Sequence, residues 1–183
     1  DENGTLIENA ATFRTLSDCR RIAGWAEHAQ RAVVLGGGLL GLEAARGLAR
    51  RGIRVDVVHL ADKLMERQLD VDASRMLTRT LEELGVVVHL EARTVAVTGG
   101  DRVRGVRLDD GGELPADLLI VACGVRPETG LAAEAGLPVR RGVVVDDRMR
   151  TADERIYAIG DCAEHRGTVY GLVAPAWEQA QVA

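Results

Sequence analysis

The sequence lacks closely spaced cysteines. Its three cysteines, Cys19, Cys123 and Cys162, are an odd number and form no CxxC or similar pair among the 183 residues. A disulfide framework needs paired cysteines, and a zinc site needs ligands at short intervals, so neither is indicated. We therefore expect reduced thiols and no metal-binding residues in this chain.

Long apolar runs and an excess of positive charge are also absent. No stretch approaches the roughly 18 apolar residues that a membrane-spanning helix requires, and the acidic start Asp1-Glu2-Asn3 is unlike a secretory signal. The 23 basic residues are scattered among 28 acidic ones and leave a net charge of −5, so no basic surface for nucleic acid is expected. These features predict a cytoplasmic protein that binds neither nucleic acid nor membrane. The first residue is Asp rather than Met, which suggests a chain cut from a longer protein.

Apolar strands alternate with amphipathic or alanine-rich helices along most of the chain. This alternation predicts an α/β fold with a parallel sheet and helices on both sides. The strands are predicted at 32–35, 53–59, 86–90, 118–122, 142–146 and 156–159. The helices are predicted at 15–28, with Ser17 as N-cap, and at 39–51, 70–84 and 131–135.

The period of the pattern changes between the third and fourth strands. Residues 94–98 and 103–108, with the Asp-Asp-Gly-Gly turn at 109–112, indicate antiparallel strands. We expect them to form a small β-meander that covers the sheet edge. On the helix predicted at 70–84, one apolar side is expected to hold Met76, Leu77, Leu81 and Leu84.

A glycine-rich turn follows the strand at 32–35. Gly36, Gly38 and Gly41 fill the pattern GxGxxG between that strand and a helix, inside a strand-helix-strand unit. In such a turn the first glycine permits the tight bend, the second lets a pyrophosphate approach the backbone, and the third lets helix and strand pack closely. The turn therefore predicts a site for the pyrophosphate of NADH or NADPH at the helix N-terminus. Its residues are Gly36, Gly37, Gly38, Leu39, Leu40 and Gly41. The alternative is a glycine-rich turn without a ligand.

The strand at 53–59 ends in His59, where NAD-binding units of this type carry an Asp or Glu that holds both ribose hydroxyls. A neutral imidazole can accept only one such bond, whereas a protonated one could attract the 2′-phosphate of NADP, together with Lys63 or Arg67. Alternatively, His59 only ends the strand, and Lys63 and Arg67 lie on a solvated surface. The choice between NADH and NADPH stays open at this point.

Four stretches resemble the pyridine nucleotide-disulfide oxidoreductase superfamily, in which an NAD domain is inserted between two parts of an FAD domain. They are residues 33–45, 122–127, 151–164 and 171–180. The resemblance implies that Cys123, Gly124 and Val125 contact the cofactor, and that Asp161, after Gly160, bonds the ribitol of FAD. A loop-capping role is the alternative for Asp161.

Glu43 also matches a superfamily position, near the nicotinamide end of the site. We expect it to be buried near the start of the helix, where the helix dipole favours its charge and it could orient the carboxamide. The alternative is that Glu43 is there as a good helix former.

Within the superfamily, residues 64–70 and 170–180 resemble the large subunit of NAD(P)H-dependent assimilatory nitrite reductases. The resemblance implies hydride transfer from NAD(P)H to FAD, followed by electron transfer through an iron-sulfur cluster to siroheme, where nitrite becomes ammonia in nitrate assimilation. The cluster and siroheme would belong to the full-length protein, because this chain carries no segment for them.

The resemblance also implies a division of the chain into three segments. Residues 1–29 would form a linker helix from the FAD domain, 30–148 the Rossmann-like NAD(P)-binding domain, and 149–183 a fragment of the FAD domain. Because the first flavin glycine fingerprint is missing, we expect the isolated chain to bind nucleotide without turning over, with the missing FAD segment as its partner. Two alternatives remain: a rubredoxin- or ferredoxin-type reductase, and a non-catalytic NAD-sensing domain.

Overall fold

The computed structural model of the protein describes residues 7–183, and the structure divides into two compact units, one ending at Gly124 and one beginning at Val125. The strands are β1 (Ala10–Thr12), β2 (Arg31–Leu35), β3 (Arg54–Val58), β4 (Val86–His89), β5 (Thr94–Gly99), β6 (Val103–Leu108), β7 (Glu113–Pro115), β8 (Leu118–Val121), β9 (Val143–Val145) and β10 (Ala163–His165). The helices are α1 (Leu16–Ala26), α2 (Leu39–Ala49), α3 (Val71–Glu83), α4 (Gly130–Glu134) and α5 (Val173–Val182), with a 3-10 turn at Gly160–Cys162.

A five-stranded sheet in the order β1-β8-β2-β3-β4 forms the centre of the first unit. All four neighbouring pairs are parallel, which confirms the two predicted crossovers, β2-α2-β3 and β3-α3-β4. The sequence analysis missed β1, because three residues are too short to show a period. This edge strand extends the sheet beyond β8 by pairing Ala10 to Thr12 with Leu119 to Val121.

The two faces of this sheet are covered by different kinds of structure. One face packs against apolar residues of α1, α2 and α3, and the other packs against the antiparallel sheet β5-β6-β7. In β8, for example, Leu118 and Ile120 belong to the helix-side core, whereas Leu119 contacts the meander side. The β-meander itself is confirmed. The prediction of helices on both sides is wrong for the first unit, and the meander covers a face of the sheet rather than its edge.

Local capping signals set where the helices of the first unit begin. Thr15, not Ser17, is the N-cap of α1, since its side chain accepts from the N–H of Asp18 and the Asp18 carboxylate accepts from the N–H of Thr15. Asp70 is the N-cap of α3, and its side chain accepts from the N–H of Ala73. The expected apolar side of α3 is only partly right. Leu81 is buried, but Met76 is 70% exposed and Leu84 is also exposed, because α3 packs along one narrow stripe.

The second unit has its own small core. β9 and β10 pair in parallel, and Val145 of β9 and Ala163 of β10 pack with Met149. The strand predicted at 156–159 is wrong: that segment makes only an isolated bridge, Arg150 to Tyr157, and β10 takes the place beside β9.

Along the chain, the two units divide after Gly124, whereas the predicted segments divide at 148. Since β9 pairs with β10 across that boundary, residues 125–148 pack with 149–183. Which segment serves NAD(P) and which serves FAD stays a prediction.

Within residues 7–183, no helix combines the length and the apolar character needed to cross a membrane. The acidic start Asp1-Glu2-Asn3, and with it the beginning of the predicted segment 1–29, lies outside the described residues.

Candidate nucleotide-binding site

The glycine-rich turn lies where β2, β3 and β8 end on the same edge of the parallel sheet. The N–H of Gly36 donates to the carbonyl oxygen of Val58 at 2.8 Å, which joins the turn to the end of β3. Gly36 has a φ of +111°, and a Cβ at this position would overlap the carbonyl oxygen of Ala122 just beyond β8. A side chain is therefore excluded at Gly36 both by the backbone conformation and by the neighbouring strand.

Gly41 and Gly38 are glycines for opposite reasons. A Cβ at Gly41 would overlap the carbonyl oxygen of Gly36, so this glycine lets α2 pack directly on the turn. Gly38, in contrast, has an ordinary φ of −86°, and within residues 7–183 no atom outside its chain neighbours and its own helix backbone lies within 4 Å of the place of its Cβ. The protein itself does not require glycine there. Open space over a bare backbone is what a closely approaching ligand would need.

The N-terminus of α2 opens onto the same space. Gly38 is the N-cap and makes no side-chain capping bond. The first N–H groups of any helix lack intrahelical acceptors, and in α2 they come from Leu39, Leu40 and Gly41. Leu39 and Leu40 are exposed. These donors, with the positive end of the helix dipole, suit a phosphate group.

Gly37 is held by the protein rather than directed at a ligand. Its N–H donates to Nδ1 of His59 at 3.1 Å. Because Nδ1 accepts this bond, the ring proton lies on Nε2, which is 3.1 Å from Oε2 of Glu66. Both nitrogens of His59 are thus engaged, which leaves the imidazole without a free polar atom for ribose or for phosphate.

The loop after β3 is folded back onto the turn. The N–H of Met65 donates to the carbonyl oxygen of Gly37 at 3.0 Å, and the side chain of Leu64 is fully buried against Gly37. The amine of Lys63 donates to the carbonyl oxygen of Leu69 at 2.9 Å, while Arg67 is exposed. Glu66 was missed by the sequence analysis. One sequence feature could have indicated it: the strand ends in a histidine instead of the usual acid, and an acid follows in the next loop.

The other predicted residues of the nucleotide site lie outside the glycine turn, on α2 and directly after β8. Glu43 is exposed on α2, so the expectation of a buried carboxylate is wrong for this chain. Cys123 follows β8, its thiol donates to the carbonyl oxygen of Leu35, and desolvation raises the pKa of that thiol. Gly124 has a φ of +96°, and Val125, the first residue of the second unit, is half exposed.

Asp161 lies in the 3-10 turn of the second unit and is exposed. Before it, Gly160 has a φ of +75°, and its N–H donates to Oε1 of Gln179 at 2.7 Å. Gln179 is only 6% exposed, so a buried amide from α5 fixes the turn that presents Asp161. The sequence analysis missed Gln179, since nothing local links it to a residue 19 positions earlier. Across residues 7–183, no cluster of His, Cys, Asp and Glu has the arrangement of a metal site.

Comparison with known proteins gives one family match over nearly the whole chain. The family described as pyridine nucleotide-disulphide oxidoreductase matches residues 3–183. The chain is 50% identical over 179 residues to "Nitrite reductase [NAD(P)H]" of Bacillus subtilis (strain 168), with 98% of this chain and 22% of that protein covered. It is 38% identical to "Rubredoxin-NAD(+) reductase" of Pseudomonas putida, with 93% of this chain and 44% of that protein covered.

A solved structure with a similar fold is the NAD-dependent persulfide reductase from A. fulgidus, with a TM-score of 0.90 and 32% identity. The alignment covers 96% of this chain and 34% of that one. The chain therefore spans between about a fifth and less than half of the length of these relatives.

Proposed function

Because this chain belongs to the pyridine nucleotide-disulphide oxidoreductase family, we propose that it is the NAD(P)H-binding part of an FAD-dependent oxidoreductase that reduces nitrite to ammonia. The similarity to a nitrite reductase at 50% identity supports the choice of reaction. The iron-sulfur cluster and siroheme of such a reaction would be bound by parts of the protein outside this chain.

The observation that carries the nucleotide site is the open backbone at Gly38. The two flanking glycines, Gly36 and Gly41, are required by contacts within the protein, whereas nothing within the described structure requires glycine at position 38. A bare backbone at an uncapped helix N-terminus fits a pyrophosphate. In this proposal the N–H groups of Leu39, Leu40 and Gly41 donate to the phosphate oxygens.

Residues of the second unit fit the flavin side of the proposal. The exposed carboxylate of Asp161, in a turn that Gln179 fixes, can accept hydrogen bonds from a polyhydroxy chain such as ribitol. When bound, NAD(P)H supplies a hydride and FAD accepts it. The role of this chain is to bind and orient: the glycine turn fixes the nucleotide, and Asp161 fixes one segment of the flavin.

A second candidate is supported by a specific similarity. The 38% identity to a rubredoxin-NAD(+) reductase favours an enzyme that uses the same donor side but passes electrons to a small redox protein. The intact protein separates the two candidates. We expect the intact protein, when it is supplied with NAD(P)H, to form ammonium from nitrite. If it reduces rubredoxin and forms no ammonium, the second candidate is favoured.

The nucleotide site is tested by a matched pair of glycine variants. Gly38→Ala adds a methyl group to open space and, as a change at the N-cap of α2, should lower the free energy of unfolding by at most about 1 kcal/mol. It should weaken NADH binding at least about tenfold, because the methyl group occupies the path of the phosphate. Gly47→Ala, on the same helix and also in open space, should leave NADH affinity unchanged. It should stabilise the fold by about 0.5–1 kcal/mol, since Ala is the better helix former. Binding is measured by calorimetric titration. Equal NADH affinity in both variants would contradict a phosphate site at this turn.

A further inference from the structure

The loop between β3 and α3 holds a carboxylate beside the glycine turn, although the strand itself ends in a histidine. His59 cannot take over the ribose role of a terminal acid, because Nδ1 accepts from the N–H of Gly37 and Nε2 faces Glu66. Its two polar atoms are used within the protein. His59 therefore acts as a spacer that links the glycine turn to Glu66.

Glu66 keeps most of its hydrogen-bonding capacity for a ligand. An ionised carboxylate offers about four acceptor positions, and His59 is the single hydrogen-bond partner of Glu66 within the described part of the chain. The side chain of Glu66 is 40% exposed, so its second oxygen can reach solvent or a bound molecule.

The position of Glu66 is fixed by the contacts of the two residues that precede it. Met65, directly before Glu66, donates its N–H to the carbonyl oxygen of Gly37, and Leu64 is buried against the same glycine. Met65 has a φ of +52°, which bends the loop back toward the turn. Glu66 is thus held next to the glycine turn, whereas the amine of Lys63 donates to the carbonyl oxygen of Leu69.

We propose that Glu66, positioned by His59, accepts hydrogen bonds from the adenosine ribose hydroxyls of NADH and makes the site select NADH over NADPH. A carboxylate accepts from two hydroxyls but repels a 2′-phosphate. The inference rests on the proposed function, because it assigns the ribose end of the same nucleotide site. The opposite outcome is a preference for NADPH, in which Lys63 and Arg67 attract the 2′-phosphate.

The test measures binding of NADH, NADPH and 2′-deoxy-NADH to the intact protein by calorimetric titration. Wild type should bind NADH at least about tenfold more tightly than NADPH, and loss of the 2′-hydroxyl should weaken binding about tenfold, the size expected for a hydrogen bond to a charged group. In Glu66→Gln, the amide oxygen can still accept from His59. The preference of about tenfold for NADH over NADPH and the loss of about tenfold without the 2′-hydroxyl should both shrink to near equal binding. Glu83→Gln removes the same charge from an exposed site at the end of α3 and should change neither ratio.

The outcomes separate this inference from the proposed function. If wild type binds NADH and NADPH equally, prefers NADPH, or keeps its NADH preference in Glu66→Gln, the role of Glu66 is overturned while the nucleotide site stands. If wild type binds neither nucleotide, the proposed function fails and this inference fails with it. An unchanged thermal midpoint in Glu66→Gln shows that any change in the ratios comes from the ligand contact and not from a disturbed fold.

Discussion

At the scale of single residues, one residue type meets three different requirements in the glycine turn. Gly36 and Gly41 are fixed by neighbouring backbone atoms, Gly37 is clamped by His59 and Leu64, and Gly38 faces open space. The pattern GxGxxG marks the first, third and sixth positions equally. Only the contacts distinguish a glycine that the fold needs from a glycine that a ligand would need.

The buried amide of Gln179 gives a prediction about stability. Gln179→Leu should lower the free energy of unfolding by about 1–3 kcal/mol, because the N–H of Gly160 would lose its acceptor in a partly buried place. Gln179→Glu keeps an acceptor oxygen and should be less destabilising. Urea unfolding of the three proteins measures the differences. Equal stability of wild type and Gln179→Leu would mean that the bond to Gly160 contributes nothing.

Asp147 predicts how stability depends on acid. Its carboxyl accepts hydrogen bonds from the side chains of Arg166 and His165. These bonds, of which that from Arg166 has the larger effect, lower the pKa of the carboxyl from 3.8 to about 2. Because the pKa is lower in the folded state, the unfolded chain binds the proton first, and stability falls as the pH falls. The contribution is complete above about pH 4 and is lost as the pH approaches 2.

The measurement for this prediction is urea unfolding between pH 5 and about pH 2, compared for wild type and Asp147→Asn. We expect a steeper fall for wild type in the acid range, since the variant has no carboxyl to protonate at this position. Because Asp147 is exposed, the difference should shrink when salt screens its pairing with Arg166. If the free energy of unfolding falls equally with pH in the two proteins, the carboxyl of Asp147 does not contribute to the acid dependence.

At the scale of elements, α1 shows how a capping motif is chosen between neighbouring candidates. The reciprocal bonds between Thr15 and Asp18 satisfy free N–H groups at both positions. Asp18 accepts in addition from the N–H of Arg14, and these backbone bonds, led by that of Thr15, lower the pKa of its carboxyl. Ser17 is exposed inside the first turn, where it caps nothing.

A pair of hydroxyl deletions tests this assignment. Thr15→Ala should lower the free energy of unfolding by about 1 kcal/mol, because the N–H of Asp18 loses its acceptor. Ser17→Ala should change it by at most about 0.5 kcal/mol, the usual range for an exposed position away from such features. Thermal unfolding compares the two variants with wild type. A larger loss for Ser17→Ala than for Thr15→Ala would show that the helix begins elsewhere.

At the scale of the whole molecule, nucleotide binding and folding are linked by mass action. A ligand that binds only the folded state at 100 times its Kd raises the free energy of unfolding by about 2.7 kcal/mol. We therefore expect NADH to raise the thermal midpoint of wild type. Hydrogen exchange should show the strongest added protection at residues 36–41 and 60–69, where the turn and its loop lie. Protection by NADH that left these residues unchanged would place the site elsewhere.

Much of the first unit could be predicted because its signals are local. An apolar run, a glycine turn and an alanine-rich helix follow one another between residues 31 and 49, and each is set by sterics and periodicity within a few residues. The parallel crossovers and the antiparallel meander were predicted on the same basis. In the second unit, where strands of three residues carry no clear period, the sequence predicts a strand at 156–159 that is not formed and gives no signal for β10.

The sequence by itself determined the strand-turn-helix unit, the meander and the place of the candidate phosphate site, because each depends on neighbours along the chain. Only the tertiary structure decided which face of the sheet the meander covers. It also decided that both ring nitrogens of His59 are hydrogen-bonded, to Gly37 and Glu66, and that Gln179 accepts from the N–H of Gly160. These are pairings between segments brought together by folding. A hydrogen bond or a packed face depends on the partner that arrives from elsewhere in the chain, and no local pattern specifies that partner.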